Sequence, residues 1–123
     1  GQTTLLGNMR DIYEKSEKAI YTPGAAFLNV MAPCPRGWRY PTEQIMDICK
    51  LAVETCYWPL FEVIEGKWIL SYSPKKKLPI EDFLRTQGRF KHLFKPENEH
   101  LLVQYQEEVD RRWEDLLFRC SKN

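Results

Sequence analysis

Apolar positions along this chain follow two rhythms, one helical and one extended, and their order sets the first expectations. From Asn8 or Asp11 to about Ile20, Ile12 and Ala19 share one side while Glu14, Lys15, Glu17 and Lys18 lie outside, a surface helix that Thr22-Pro23-Gly24 stops. Glu14 and Lys18 stand at the favourable i,i+4 spacing for an ion pair. Ala26 to Ala32 is nearly all apolar, without the alternation of a half-exposed strand, and predicts a strand covered on both faces as in a parallel sheet. Helix, breaker and strand make one αβ step of an α/β architecture.

Thr42 is the expected N-cap of a second helix, with Ile45, Ile48, Ala52 and Thr55 at helical spacing and Met46, Cys49, Val53 and Cys56 on the adjoining stripe. Trp58-Pro59 closes it. Leu60–Ile64 and Lys67–Tyr72 flank Glu65-Gly66 and predict a β-hairpin. A polar loop over Ser73–Leu78 follows. Pro79 at a first helical position, with Glu81 and Asp82 in the first turn, predicts a short helix to about Thr86. Gln87–Leu93 reads as irregular. From Pro96 a long helix places Leu101, Leu102, Tyr105, Val109, Leu116, Leu117 and Cys120 on one face, with Trp113 beside them.

Composition narrows the function classes. At 123 residues the chain suits one ordinary domain, and its apolar content supports a core. A formal net charge of +1 gives no reason to expect nucleic-acid binding. Lys75-Lys76-Lys77 is the one basic run, and it reads as a solvated turn. No apolar stretch approaches the ~20 residues that span a bilayer, and no signal peptide is visible.

The cysteines are Cys34, Cys49, Cys56 and Cys120, none of them in a Cys-x-x-Cys pair, and the two histidines stand apart. No self-contained zinc signature results. Cys49 and Cys56 fall on one expected helix about 10 Å apart along its axis, beyond disulfide reach, and read as core packing. Reduced thiols and a cytoplasmic setting are the default. Cys34 differs. It sits in Ala32-Pro33-Cys34-Pro35-Arg36-Gly37-Trp38, just past the carboxyl end of the expected strand, where open α/β sheets place their ligands. Pro33 and Pro35 stiffen the loop and Gly37 lets it turn. A thiol held this way suits a metal or cluster ligand, although a small packed side chain in a turn has the same sequence. Arg89, Lys91 and His92 have the composition of an anion site or of a solvated turn, and a lone His92 makes no metal site. No catalytic triad, carboxylate pair or phosphate loop is present in the sequence.

Taken together, the stretch from Ala32 through Trp38-Arg39-Tyr40, then Leu51-Ala52-Val53-Glu54-Thr55, Trp58-Pro59-Leu60-Phe61-Glu62 and Gln87-Gly88-Arg89-Phe90-Lys91-His92-Leu93, resembles the β subunit of 2-oxoacid:ferredoxin oxidoreductases, most closely the pyruvate synthase type. The resemblance covers residues 9–95 well and the last helix more loosely. It implies the C-terminal portion of a thiamin-diphosphate-binding αβα fold, with residues 1–58 ending that domain and 59–123 forming an extension of hairpin plus helices. It also implies thiamin diphosphate, magnesium and a 4Fe-4S cluster in the intact enzyme, with Cys34 as one cluster ligand and the others outside this chain. The intact complex would convert a 2-oxoacid to acyl-coenzyme A and carbon dioxide and pass electrons to ferredoxin, alongside other subunits.

The family's N-terminal Cys-Pro-Gly-Cys-like element and its Gly-Asp-Gly segment followed by Asn do not occur here, which makes a fragment of such a subunit the expectation. One thiolate cannot supply a cluster's four ligands, so the chain alone is expected to bind neither cluster nor cofactor and to be inactive. A cut sheet further predicts self-association. Two other readings compete. One is a non-catalytic interaction module docking through the last helix. The other is a cysteine-dependent enzyme with Cys34 as nucleophile and His92 or His100 as base.

Overall fold

A computed structural model describes residues 1–122. Its framework is a four-stranded mixed sheet in the order β2-β1-β3-β4. β1 (Gln2–Thr4) leads into α1 (Met9–Tyr21), whose C-cap is Thr22, as the breaker requires. β2 (Asn29–Met31) runs parallel to β1, with Thr3 opposite Val30. β3 (Phe61–Ile64) and β4 (Lys67–Leu70) form the expected hairpin, and β3 joins β1 antiparallel through Gln2 and Phe61. Glu65 and Gly66 both have positive φ (52° and 78°), the turn geometry that suits the right-handed twist of paired strands.

The strand expected over Ala26–Ala32 is corrected here. Only Asn29–Met31 is extended and paired, and Asn29 and Val30 are exposed while Met31 alone is buried. The reason is position: β2 lies at the sheet edge with β1 on one side, so the run is paired on one side only, and the exposure of Asn29 and Val30 shows that its faces are not both covered. The ion pair expected between Glu14 and Lys18 is also redistributed. Glu14 takes Arg10 at 3.1 Å, and Lys18 reaches across to Glu62 of β3 at 2.7 Å. Lys15, read from sequence as an outer residue, is instead only 3% exposed. Its ammonium donates to Gln2 O (2.8 Å) and to Asp11 Oδ2 (2.9 Å), and Asp11 also accepts from the Thr3 hydroxyl. That buried network ties α1 to β1.

The core lies on the other side of the chain, around α3 (Ile45–Glu54), α4 (Ile80–Leu84) and α5 (Glu99–Ser121). Ile48, Cys49, Ala52, Phe83 and Leu84 are fully buried, and Leu101, Leu102, Tyr105 and Trp113 of α5 pack against them. Thr42 does not cap α3: Thr42–Gln44 is a 3-10 turn ahead of it, and Gln44 takes the cap position without a side-chain bond. Cys56 lies past the helix end in the left-handed region (φ 63°), where Trp58 N–H bonds back to Ala52 O at 2.9 Å. Pro79 caps α4 rather than opening it, and the amide of Ile80 finds its acceptor in Gln106 Oε1 of α5 at 2.7 Å. Lys77 of the basic run pairs with Asp110, whereas Lys75 and Lys76 are exposed. Among the described residues no helix is long and apolar enough to cross a membrane.

Candidate functional site

Cys34 stands three residues beyond the end of β2, on the loop that the sequence marks, and it is exposed. Pro35 opens a single helical turn, α2 (Pro35–Trp38), where the sequence predicts a loop. Cys34 caps that turn: its Sγ accepts from Gly37 N–H at 3.3 Å, and its carbonyl accepts from Trp38 N–H at 2.8 Å. Proline at the first helical position loses no needed donor there. The turn ends on Arg39 in the left-handed region (φ 59°), and Tyr40 N–H returns to Pro35 O at 3.1 Å. The thiol thus folds back over the first turn while the residue stays exposed.

The other thiols are differently placed. Cys49 and Cys56 are buried, as core packing requires, although Cys56 lies past the end of α3 and not on its stripe. Burial raises the Cys49 pKa, with a backbone contact to Leu6 partly opposing it, and pushes Cys56 up to about 11. Burial also raises that of half-buried Cys120. All three shifts follow from the cost of a thiolate away from water. All four cysteines are free, and among the described residues no group of three or more His, Cys, Asp or Glu side chains is placed to hold a metal ion. Cys34 is therefore the one exposed thiol, with Cys120 half-buried on α5, and a single thiol fits one ligand to a cluster completed from elsewhere and does not fit a whole one. The hydrogen bond to Cys34 Sγ comes from a backbone amide, and His92 and His100 are both exposed surface residues without a bond to it.

Beneath the cysteine turn lies the segment expected to be irregular. Gly88–Phe94 is a 3-10 helix, and its start packs on α2. Gly88 N–H donates to Arg39 O at 2.8 Å, and the Arg89 guanidinium lies 3.9 Å from the Trp38 ring centre and 4.5 Å from that of Phe90. Trp38 also meets Tyr40 and Phe83 edge-on, with ring centres 6.5 and 6.3 Å away. Tyr40 is 7% exposed, and its hydroxyl has no hydrogen-bond partner. Two sequence blocks some fifty positions apart thus form one assembly. Sequence reasoning singled out both without the signal that they touch; the glycine ahead of an arginine and an aromatic was the available hint of close approach.

No family model matches the chain. Curated relatives do. The chain is 44% identical to pyruvate synthase subunit PorB of Thermotoga maritima over 116 residues, 94% of this chain and 36% of that protein. It is 44% identical to pyruvate synthase subunit PorB of Methanosarcina barkeri over 92 residues, 75% of this chain and 31% of the relative. With ketoisovalerate oxidoreductase subunit VorB of Pyrococcus horikoshii it shares 46% identity over 103 residues, 82% of this chain and 33% of the relative. The chain spans about a third of the length of the curated relatives it matches.

Proposed function

Because this chain belongs to the family of 2-oxoacid oxidoreductase subunits represented by PorB and VorB, we propose that it forms part of such a subunit, working in the oxidative decarboxylation of pyruvate or a related 2-oxoacid to acyl-coenzyme A. In this reading residues 1–58 end the thiamin-diphosphate domain and 59–123 form the extension, the two sharing one sheet through β1 and β3. The intact enzyme carries thiamin diphosphate, magnesium and a 4Fe-4S cluster, acts in the cytoplasm with other subunits, and uses ferredoxin and coenzyme A as partners. When bound, the cofactor supplies the carbon chemistry and the cluster takes up electrons one at a time.

This chain's own contribution is Cys34, offered as one cluster ligand. The observation that carries the proposal is its exposure on a closed turn at the carboxyl end of β2, while Cys49 and Cys56 are buried. The turn leaves the cysteine exposed and gives its sulfur one backbone donor, the Gly37 N–H. Ligands from outside these residues complete the set. The docking-module reading keeps only part of its surface: Val109 and Leu116 of α5 are buried in the chain's own core, while Val103, Leu117 and Phe118 stay exposed.

Two measurements test the assignment. In the isolated chain, alkylation labels Cys34 well before Cys49 or Cys56. In the full-length subunit, Cys34→Ser removes or alters the low-temperature iron–sulfur spectrum and Cys49→Ala leaves it intact. An unchanged spectrum in the serine variant would overturn the assignment.

A further inference from the structure

We propose that Arg89 is the positioning residue for Cys34: its guanidinium, laid between Trp38 and Phe90, fixes the indole of the turn that Cys34 caps and so the direction of the thiol. The inference rests on the reading of Cys34 as a cluster ligand and deepens it by giving the Gln87–Leu93 segment a task.

Arg89 is oriented from the core outward. Its Nε donates to Gln87 Oε1 at 2.8 Å, and Gln87, itself 2% exposed, donates through Nε2 to Phe83 O at 3.0 Å. Phe83 is fully buried, and its ring meets Trp38 edge-on. The indole is therefore held by Phe83 on one contact and by the guanidinium plane on another. From Trp38 the constraint passes to Cys34 through the Trp38 N–H bond to Cys34 O, and the adjacent Gly37 N–H holds Sγ itself. Gly88 keeps the two segments in register by donating to Arg39 O.

Charge pairing does not account for Arg89. Its hydrogen bond goes to a neutral amide, and one terminal nitrogen is buried without a hydrogen-bond partner. Burial disfavours its charged form. A guanidinium kept under those conditions is being used for its flat stacking surface as well as its charge, a geometry a lysine ammonium cannot reproduce. An unsatisfied buried donor at a single defined place is also what a residue retained for position would leave behind.

Amide hydrogen exchange on this chain reads the brace directly. Arg89→Ala accelerates exchange of the Gly37, Trp38 and Gly88 amides by about tenfold or more, while the amides pairing β3 with β4 keep their protection. Arg89→Lys, which retains the charge without the plane, gives the same local loosening. If Arg89→Ala also loses the hairpin protection, Arg89→Lys decides by the same comparison. Unchanged Gly37 and Trp38 exchange in a folded Arg89 variant overturns the proposal.

In the full-length, cluster-bearing subunit, Arg89→Lys shifts the midpoint potential and broadens the paramagnetic resonance of the cluster. Arg85→Lys, whose guanidinium lies over Phe94 and outside this assembly, does neither. An identical potential and line shape in Arg89→Lys would likewise overturn the positioning role. The ligand reading fails by a separate result, an intact cluster in Cys34→Ser, which leaves the exchange experiment free to decide on Arg89.

Discussion

Burial divides the four free thiols, and it does so within a short span of sequence: Cys34 is exposed, and Cys49 and Cys56 are sealed behind α3 and α4. Cys56 carries the larger consequence. Its thiol is raised from the usual value of 9.0 to about 11, so between those limits the folded chain keeps a proton that the unfolded chain has released. Stability attributable to Cys56 is then fully present below about pH 9 and falls as pH rises toward 11, with a slope approaching roughly 1.4 kcal/mol per pH unit. Urea denaturation of the wild type and of Cys56→Ala, compared at pH 8 and pH 10.5, should show the gap between them narrowing at high pH. A constant gap would mean the thiol is not shielded as its burial indicates.

At the scale of elements, the joint between α1 and β1 rests on the buried Lys15 ammonium. Lys15→Met leaves the Asp11 carboxylate with the Thr3 hydroxyl and takes a donor from Gln2 O, so unfolding free energy should fall by about 3 kcal/mol, the lower end for breaking a buried pair. Adding Asp11→Leu should recover much of it, since the stranded charge is then gone; no recovery in the double variant would argue against this account. Burial lowers the Lys15 pKa, against the opposing pull of Asp11. The unfolded chain therefore binds the proton more tightly. The cost of enclosing the charge is present at neutral pH and relieved only as pH climbs toward the usual lysine range.

The legibility of the chain follows from the same physics. Periodicity over many residues marked α1, α3 and α5, and Glu65-Gly66 marked the hairpin, because those signals are local. β1 went unread: three residues carry no alternation, and Gln2–Thr4 is a strand only because β2 and β3 pair with it. The role of Lys15 was hidden too, since its partners include a backbone carbonyl 13 positions away. Of the candidate site, the loop that carries Cys34 was legible from its prolines. Its α2 turn, and the contact of Trp38 with Arg89, were not, because they depend on tertiary packing.

For the molecule as a whole, the uneven distribution of apolar surface decides how the isolated chain behaves. Tyr13, Ile20, Tyr21 and Phe27 are each at least three-quarters exposed, and they lie along α1 and the approach to β2. β2 itself is an open sheet edge. The last helix, the other surface expected to associate, spends most of its apolar face inside. Self-association of the isolated chain is therefore expected through β2 and its surroundings rather than through α5. Light scattering should show mass rising with concentration, with hydrophobic-dye binding, and Val30→Lys at the exposed edge should suppress both. A monomer that binds no dye would contradict this.

One close approach reaches beyond a single molecule to the way such sequences diverge. A Cβ at position 88 would stand 2.8 Å from Arg39 Cβ and 3.1 Å from Arg39 O, and Arg39 itself occupies the left-handed region at φ 59°. A side chain at position 88 is thus easiest to admit where position 39 has already become glycine, which removes the obstructing Cβ and suits that backbone. The expected order is relaxation at 39 first and substitution at 88 after it, with the backbone carbonyl of 39, at 3.1 Å, still having to give way.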